Sequence, residues 1–390
     1  MDPTGRVIAA LDGKALGQVP TLSVILDDHP LNQVLGFPRI EPWKIISHPI
    51  TKFILDRWGM KLGQLVVDPK EIMFRSAEAA IRLGFDACWG YLETAFKIWD
   101  SKTLLEVWGI YHNIVNDGHG NGYYMYREPL ITSRQAYEAW PYFPDPDDWA
   151  HTTYKCFSKA QKKFGDKLCI CGEVPTDFYD TIQTSMGFAN IAKFIRKDRD
   201  LIHQFLARLD EIATKCTVAM LDAGLRVILK GDDHGLKTGP QMDPKIFDEI
   251  FGPAHTRICK LVHDRGGRIL IHSCGDNTKM FDYFIKWGYD GGHAFETTSN
   301  VNILHEKKTH GDKFTIVGGM GVDYHLTARS RPEELAERTI ELIRICAPGG
   351  RFLLAPAHSH PDVDISKVKI MLDTVREYGN FKWKELSKST

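Results

Sequence analysis

The sequence predicts an α/β protein folded as a (β/α)8 TIM barrel, and three observations carry that expectation. Eight short strand-like runs, five of them holding β-branched residues, alternate with amphipathic helical stretches. Acids, imidazoles and thiols collect where those runs end. One segment with the signature of a β-hairpin interrupts the alternation between the second and third runs. A single doubly wound sheet is the alternative.

The runs lie at 21–26, 85–89, 167–174, 226–232, 268–272, 292–296, 314–318 and 352–357. Helical stretches occupy 69–83, 180–223, 244–265, 278–287, 332–345 and 364–378. Three carry capping signals: Asp243 before Pro244, Ser330 before Arg331-Pro332, and Asp362 before the last helix. The hairpin candidate, WGIYHNIVNDGHGNGYYMY at 108–126, sets two β-rich arms around a Gly/Asn/Asp turn. It is expected to arch over one mouth of the barrel, and the Pro-rich WPYFPDPDDW after it returns the chain to a helix. No low-complexity linker or composition break divides the chain. It reads as one domain over 1–390, with 101–150 as the hairpin and loop insertion.

Composition narrows the function classes. Of 390 residues, 43% are hydrophobic and 25% charged, an ordinary globular balance. The net charge of -1 offers no basic excess for a phosphate backbone, so nucleic acid is not an expected partner. The opening MDPTGRVIAALDGK has no long apolar run after a basic start, so no secretory signal is expected. No apolar stretch approaches a membrane span. Eight scattered cysteines read as reduced cytoplasmic thiols, some of them ligands, rather than as a disulfide framework.

The ends of the runs carry the chemistry. They read Asp27-Asp28-His29, then Asp86 with Cys88, Glu173, Asp232-Asp233-His234, His272 with Cys274, Glu296, Gly318-Gly319-Met320, and Ala357-His358-Ser359-His360. In a (β/α)8 barrel that face builds the active site, so the chain reads as an enzyme. Alternate strand residues share a face, so His272 and Cys274 are expected to converge. Glu296 and His358 would add a carboxylate and an imidazole, and zinc accepts all three donor types. A polar turn is the alternative reading of this end, and His360 competes with His358 as the late ligand. Cys169 and Cys171 are expected in the core. The triplets Asp27, Asp28, His29 and Asp232, Asp233, His234 are expected to act as acid, base and substrate-binding groups, because neighbouring carboxylates in a low-dielectric mouth shift one another's pKa. The alternative is that the first Asp of each triplet only caps its loop.

The motifs LKGDDHG, GGRILIHSCGD, GGHAFE, FTIVGGMG and PGGRFLLAPAHSHPDVD resemble those of the uroporphyrinogen decarboxylase-like superfamily, over most of the chain. The resemblance implies the same barrel. True decarboxylases of that superfamily use arginines near the N-terminus and need no metal; here an acidic Asp-Asp-His stands after PTLSVIL. The corrinoid-dependent methyltransferases of the other branch carry zinc through a His-x-Cys motif and a late cysteine. His272 and Cys274 match the motif, Glu296 matches the acidic ligand of related cobalamin-independent methionine synthases, and His358 stands where the late cysteine would be. Exchanging a thiolate for an imidazole hardens the site and suits an oxygen ligand such as an aryl ether.

The chain is therefore most similar to the methyltransferase component of aryl O-demethylases. That resemblance implies a zinc-dependent enzyme that takes the methyl group of a methoxylated aromatic compound and gives it to the Co(I) of a corrinoid (cobalamin) carried by a partner protein. Trp89, Tyr91, Tyr124 and Phe178 are candidates to stack on the aromatic ring, with core packing as the alternative for each. Some members of that group have been assigned a Glu-Glu-His zinc motif, for which Glu78, Glu93 and His112 are the nearest match. Competing functions are methyl transfer from a methylcorrinoid protein to a thiol or tetrahydropterin, decarboxylation, and non-catalytic tetrapyrrole binding. A homodimer is kept open as the assembly.

Overall fold

The computed structural model describes residues 2–14, 17–37, 42–66, 68–93, 96–116, 118, 122–295 and 298–379. Its strands, in chain order, are β1 (Leu22–Ser23), β2 (Ala87–Gly90), β3 (Phe96–Ile98), β4 (Thr103–Glu106), β5 (Ile110–Asn116), β6 (Gly122–Pro129), β7 (Cys169–Val174), β8 (Val227–Gly231), β9 (Gly235–Leu236), β10 (Gly239–Pro240), β11 (Arg268–His272), β12 (Gly291–His293), β13 (Thr315–Met320) and β14 (Phe352–Pro356). Eight of these pair in parallel in the order β1-β2-β7-β8-β11-β12-β13-β14. A parallel bridge between Thr21 and Leu354 brings the last strand against the first. The result is the expected (β/α)8 barrel, with each of its strands overlapping one of the eight runs read from the sequence; β2, β12 and β13 extend one or two residues past theirs.

The period of two along each strand sorts side chains between two cores. Leu22, Val24, Ala87, Cys169, Cys171, Val227, Leu229, Leu270, Leu353 and Ala355 fill the barrel interior. The alternating residues, such as Ile228, Ile269, Ile271 and Leu354, face the surrounding helices. Cys169 and Cys171 are thus interior core thiols, as expected.

The lower end of the barrel is closed by the helix Pro3–Leu11, a feature the sequence reading did not anticipate. Asp2 caps it by accepting from the Gly5 N–H, and Pro3 occupies the first turn, where no amide partner is required. Its apolar face, Val7, Ala10 and Leu11, completes the interior core. Two ion pairs hold it to the rim: Arg6 with Asp86 at 2.8 Å and Asp12 with Arg268 at 2.7 Å.

At the opposite end the excursion after β2 is larger than a hairpin. The expected pair, β5 and β6, is antiparallel, and β3 and β4 extend it into a four-stranded sheet in the order β3-β4-β5-β6. Several expected helix limits shift. The single stretch at 180–223 is three helices, Tyr179–Met186, Phe188–Lys197 and Arg199–Asp222, broken first at Gly187, whose φ of 81° no other residue type adopts readily. The stretch at 244–265 divides at Phe251. Asp243 caps its helix as expected. Ser330 does not, because its hydroxyl donates to the His325 carbonyl, and Arg331 and Glu334 form the cap instead. The last helix starts later than expected and is capped by Asp364 rather than Asp362, whose N–H donates to His360 Nδ1.

Leu11 is 1% exposed against the barrel floor. Replacing it with Ala is expected to cost about 2–5 kcal/mol, because the rigid barrel rim cannot collapse onto the void. Urea denaturation of Leu11→Ala beside the parent chain measures that loss.

Candidate active site at the C-terminal mouth of the barrel

The inward faces of the strands continue past their ends, and that continuation builds the site. Val24 leads to Leu26, Ala87 and Trp89 to Tyr91, Cys171 to Glu173, and Leu270 to His272. Val24, Leu26, Trp89, Tyr91, Glu173 and His272, with His293, His358 and Ser359, line a cavity of about 250 Å³. A second cavity of about 130 Å³ adjoins it under the excursion sheet, lined by Tyr91 and Glu173 again, together with Phe96, Glu106, Trp108 and Asp177.

Three metal-capable donors meet at the first cavity. Nitrogen atoms of His272 and His358 and the Cys274 thiol sulfur all lie within 4.8 Å of one another. His272 Nε2 is 3.3 Å from Cys274 Sγ. Glu296, expected to add a carboxylate, lies outside the described residues. His360 is half exposed and faces Asp362 at 3.9 Å, which leaves His358 as the late imidazole of the cluster.

A chain of hydrogen bonds orients His272. His293 sits directly opposite it in the β11–β12 register. The Nε2–H of His293 donates to the Pro356 carbonyl at 2.9 Å, so its Nδ1 accepts. The His272 Nδ1–H donates to that atom at 2.8 Å. This tautomer turns the lone pair of His272 Nε2 toward the Cys274 sulfur, the arrangement that a metal-binding imidazole requires. Trp89 packs edge-on against both imidazoles, with ring centroids 5.0 and 5.3 Å away. His293 was not among the residues singled out from sequence, because the expected run at 292–296 placed it inside a strand. Its parity with His272 is the signal that identifies it.

Two glycines bring the loops together. A side chain on Gly235 would meet the Cys274 carbonyl at 2.5 Å, and one on Gly275 would meet the Gly235 backbone at 2.7 Å. This close approach lets the Cys274 N–H donate to Asp233 Oδ1 at 2.7 Å.

The expected triplets separate by parity. Asp233 shares the inward face of Val227 and Leu229 and reaches the mouth. Asp232 and His234 point behind the sheet and are fully buried. Asp232 accepts the Tyr179 and Asp180 amides at 3.1 and 2.8 Å, capping the helix that follows β7. On the first loop, Asp27 accepts from the Ser359 hydroxyl, whose oxygen accepts the Leu26 and Asp27 amides at 2.9 and 3.0 Å. This ties the end of β1 to the His358 loop. Asp28 pairs with Arg75, and His29 contacts Gln33 at 2.8 Å on the rim. Of the aromatic candidates, Trp89 and Tyr91 line the first cavity. Tyr124 packs on Phe96 of the second, at 5.2 Å. Phe178 is fully buried under the Lys230 ammonium, 4.2 Å from its ring, and contributes to neither lining. Glu78 pairs with Arg82 and His112 with Glu106, so these two are engaged elsewhere.

Several carboxyl groups of the mouth are partly withdrawn from water. Burial pushes Glu173 up to about 7, against the lowering effects of the Trp89 Nε1–H, which donates to it at 2.6 Å, and of Lys230. Burial likewise raises Asp177 to about 8, with Lys230 opposing. Glu173 is therefore a proton donor near neutral pH, a role the sequence reading did not assign to it.

The profile described as uroporphyrinogen decarboxylase (URO-D) matches residues 95–378. The chain belongs to the uroporphyrinogen decarboxylase family. A solved structure described as a methyltransferase from Methanosarcina mazei superposes on this URO-D family chain with a TM-score of 0.66 at 17% identity, covering 97% of this chain and 99% of that one. That likeness establishes a shared fold. The 3-keto-D-glucoside 4-epimerase YcjR from E. coli aligns at a TM-score of 0.39 and 9% identity, over 60% of this chain and 87% of that one. No curated protein sequence matches the chain. No helix among the described residues is long and apolar enough to cross a membrane.

His293→Phe keeps the ring against Trp89 and removes the acceptor for His272 Nδ1. It is expected to lower the affinity of the His272, Cys274 and His358 cluster for added zinc about 10- to 100-fold, the usual cost of losing an orienting hydrogen bond behind a metal ligand. Competition with a chromophoric chelator measures it.

Proposed function

We propose that this URO-D family chain is a corrinoid-dependent methyltransferase that demethylates a methoxylated aromatic compound and passes the methyl group to a corrinoid carried by a separate protein. The observation that carries this reading is the convergence of two imidazoles and a thiol on a cavity walled by Trp89 and Tyr91. The donor set fits zinc: three borderline-soft ligands, one of them oriented through its other ring nitrogen. His272, Cys274 and His358 would hold the ion, and Glu296 stays in the proposed donor set on the family resemblance. Bound there, zinc would supply Lewis acidity toward an ether oxygen.

The remaining roles fall to the chain itself. A cavity of roughly 150 Å³ accommodates benzene, so about 250 Å³ suffices for a single methoxylated ring. Trp89 and Tyr91 wall that ring and exclude water. As the methyl carbon–oxygen bond breaks, the departing phenolate oxygen takes a proton, and Glu173 is the donor in the same cavity, its carboxyl pushed up to about 7 by burial. Asp27 and Asp233 hold the loops that carry His358 and Cys274. Decarboxylation of a polyanionic porphyrinogen is disfavoured by the same lining, because Glu173 and Asp177 face the two cavities and no arginine does among the described residues.

His272→Ala is expected to lower methyl transfer from a methoxybenzene to a Co(I) corrinoid protein at least about 100-fold while circular dichroism stays native; full activity would remove the metal from the mechanism. The parent rate should fall as pH rises through about 7, as Glu173 loses its proton. Glu173→Gln should cost about 10²-fold or more and abolish that limb of the profile.

A further inference from the structure

Behind the barrel wall lies a second set of donors that the mouth does not use. Asp232 and His234 leave the end of β8 on its outer face, and His255 rises from the helix Gly252–Asp264 to meet them. All three are fully buried. Asp232 Oδ2 is 3.1 Å from His255 Nε2 and 3.6 Å from His234 Nε2, and all three donor atoms lie within 4.8 Å of one another. Donors sharing one tetrahedral ion at metal–ligand distances of 2.0–2.1 Å stand about 3.4 Å apart. The spacing is that of a metal's ligands.

A second observation points the same way. Neither ring nitrogen of His234 has a hydrogen-bond partner, whereas His255 Nε2 meets the Asp232 carboxylate at 3.1 Å. Leaving such groups orphaned in the interior costs about 1–3 kcal/mol each. The surroundings offer no relief: His234 packs on Phe247 and Phe284, and His255 stacks on Trp287 at 4.5 Å. The other ring nitrogen of His255, Nδ1, meets the Tyr289 hydroxyl at 2.7 Å, which orients Nε2 toward Asp232 as in a ligated imidazole.

We propose that Asp232, His234 and His255 form a second metal site, a buried two-histidine, one-carboxylate centre for a divalent transition-metal ion such as zinc or iron(II). Enclosed by aromatic rings and lining neither cavity, it is a structural site. The ion would fasten the loop after β8 to the helix Gly252–Asp264. That loop positions the mouth, since the His234 N–H donates to Ser273 Oγ at 2.9 Å and Asp233 accepts the Cys274 amide.

The test is metal stoichiometry on the full chain produced with zinc and iron supplied. His272→Ala/Cys274→Ala, which disables the mouth, should still carry about one metal per chain. Adding His234→Leu or His255→Phe, each chosen to keep the apolar packing, should remove it while circular dichroism stays native. Cobalt(II) in the mouth-disabled chain should give visible d–d bands without thiolate charge transfer. A mouth-disabled chain that folds and holds no metal would overturn the proposal. So would residual metal that His234→Leu and His255→Phe both leave in place. Either result leaves the reading of the mouth untouched.

Discussion

The hydrogen-bond chain from the Pro356 carbonyl through His293 to His272 is the constraint on which the mouth depends. It spans strand ends on both sides of β13, so it exists only because the parallel register sets His272 beside His293 and brings Pro356 within reach. Breaking it would let the His272 ring choose its other tautomer, with a proton where a metal needs a lone pair. The barrel thereby converts a sequence motif of a histidine and a cysteine two apart into an oriented donor pair. His358 arrives on the last strand's loop, held in turn by the Ser359–Asp27 contact at the closure of the barrel.

Around this core the chain keeps carboxyl groups where water is scarce. Glu173 and Asp177 face the buried Lys230, yet burial outweighs its attraction and raises both. A mouth that can hold neutral carboxyl groups near pH 7 is suited to donating protons to a leaving oxygen and unsuited to gripping a multiply charged anion. That balance separates this family member's proposed chemistry from the decarboxylation for which the family is named.

Much of this was legible in the sequence. Strands covered on both faces read as apolar runs, β-branched in five of the eight; the runs at 85–89, 292–296 and 352–357 hold no β-branched residue. The helix Pro3–Leu11 did not stand out, because it is only nine residues long and only the barrel floor gives its apolar residues a partner. β3 and β4 escaped because Phe96–Ile98 and Thr103–Glu106 are too short to show alternation. The Asp-Asp-His triplet at 232–234 was read as one functional unit, whereas strand parity sends Asp233 to the mouth and its neighbours behind the wall. The same parity would have added His293 to Tyr91 and Glu173 at the mouth. His255 could not be joined to Asp232 from sequence at all, since only packing of the helix on β8 brings them within contact.

The central claim is a metal held at the mouth through a thiolate. X-ray absorption at the zinc edge of the zinc-loaded chain tests it most directly. Zinc bound through Cys274 gives a sulfur scatterer at about 2.3 Å beside nitrogen or oxygen neighbours near 2.0 Å, with the sulfur lost in Cys274→Ser. A shell with no sulfur in the parent chain would contradict it.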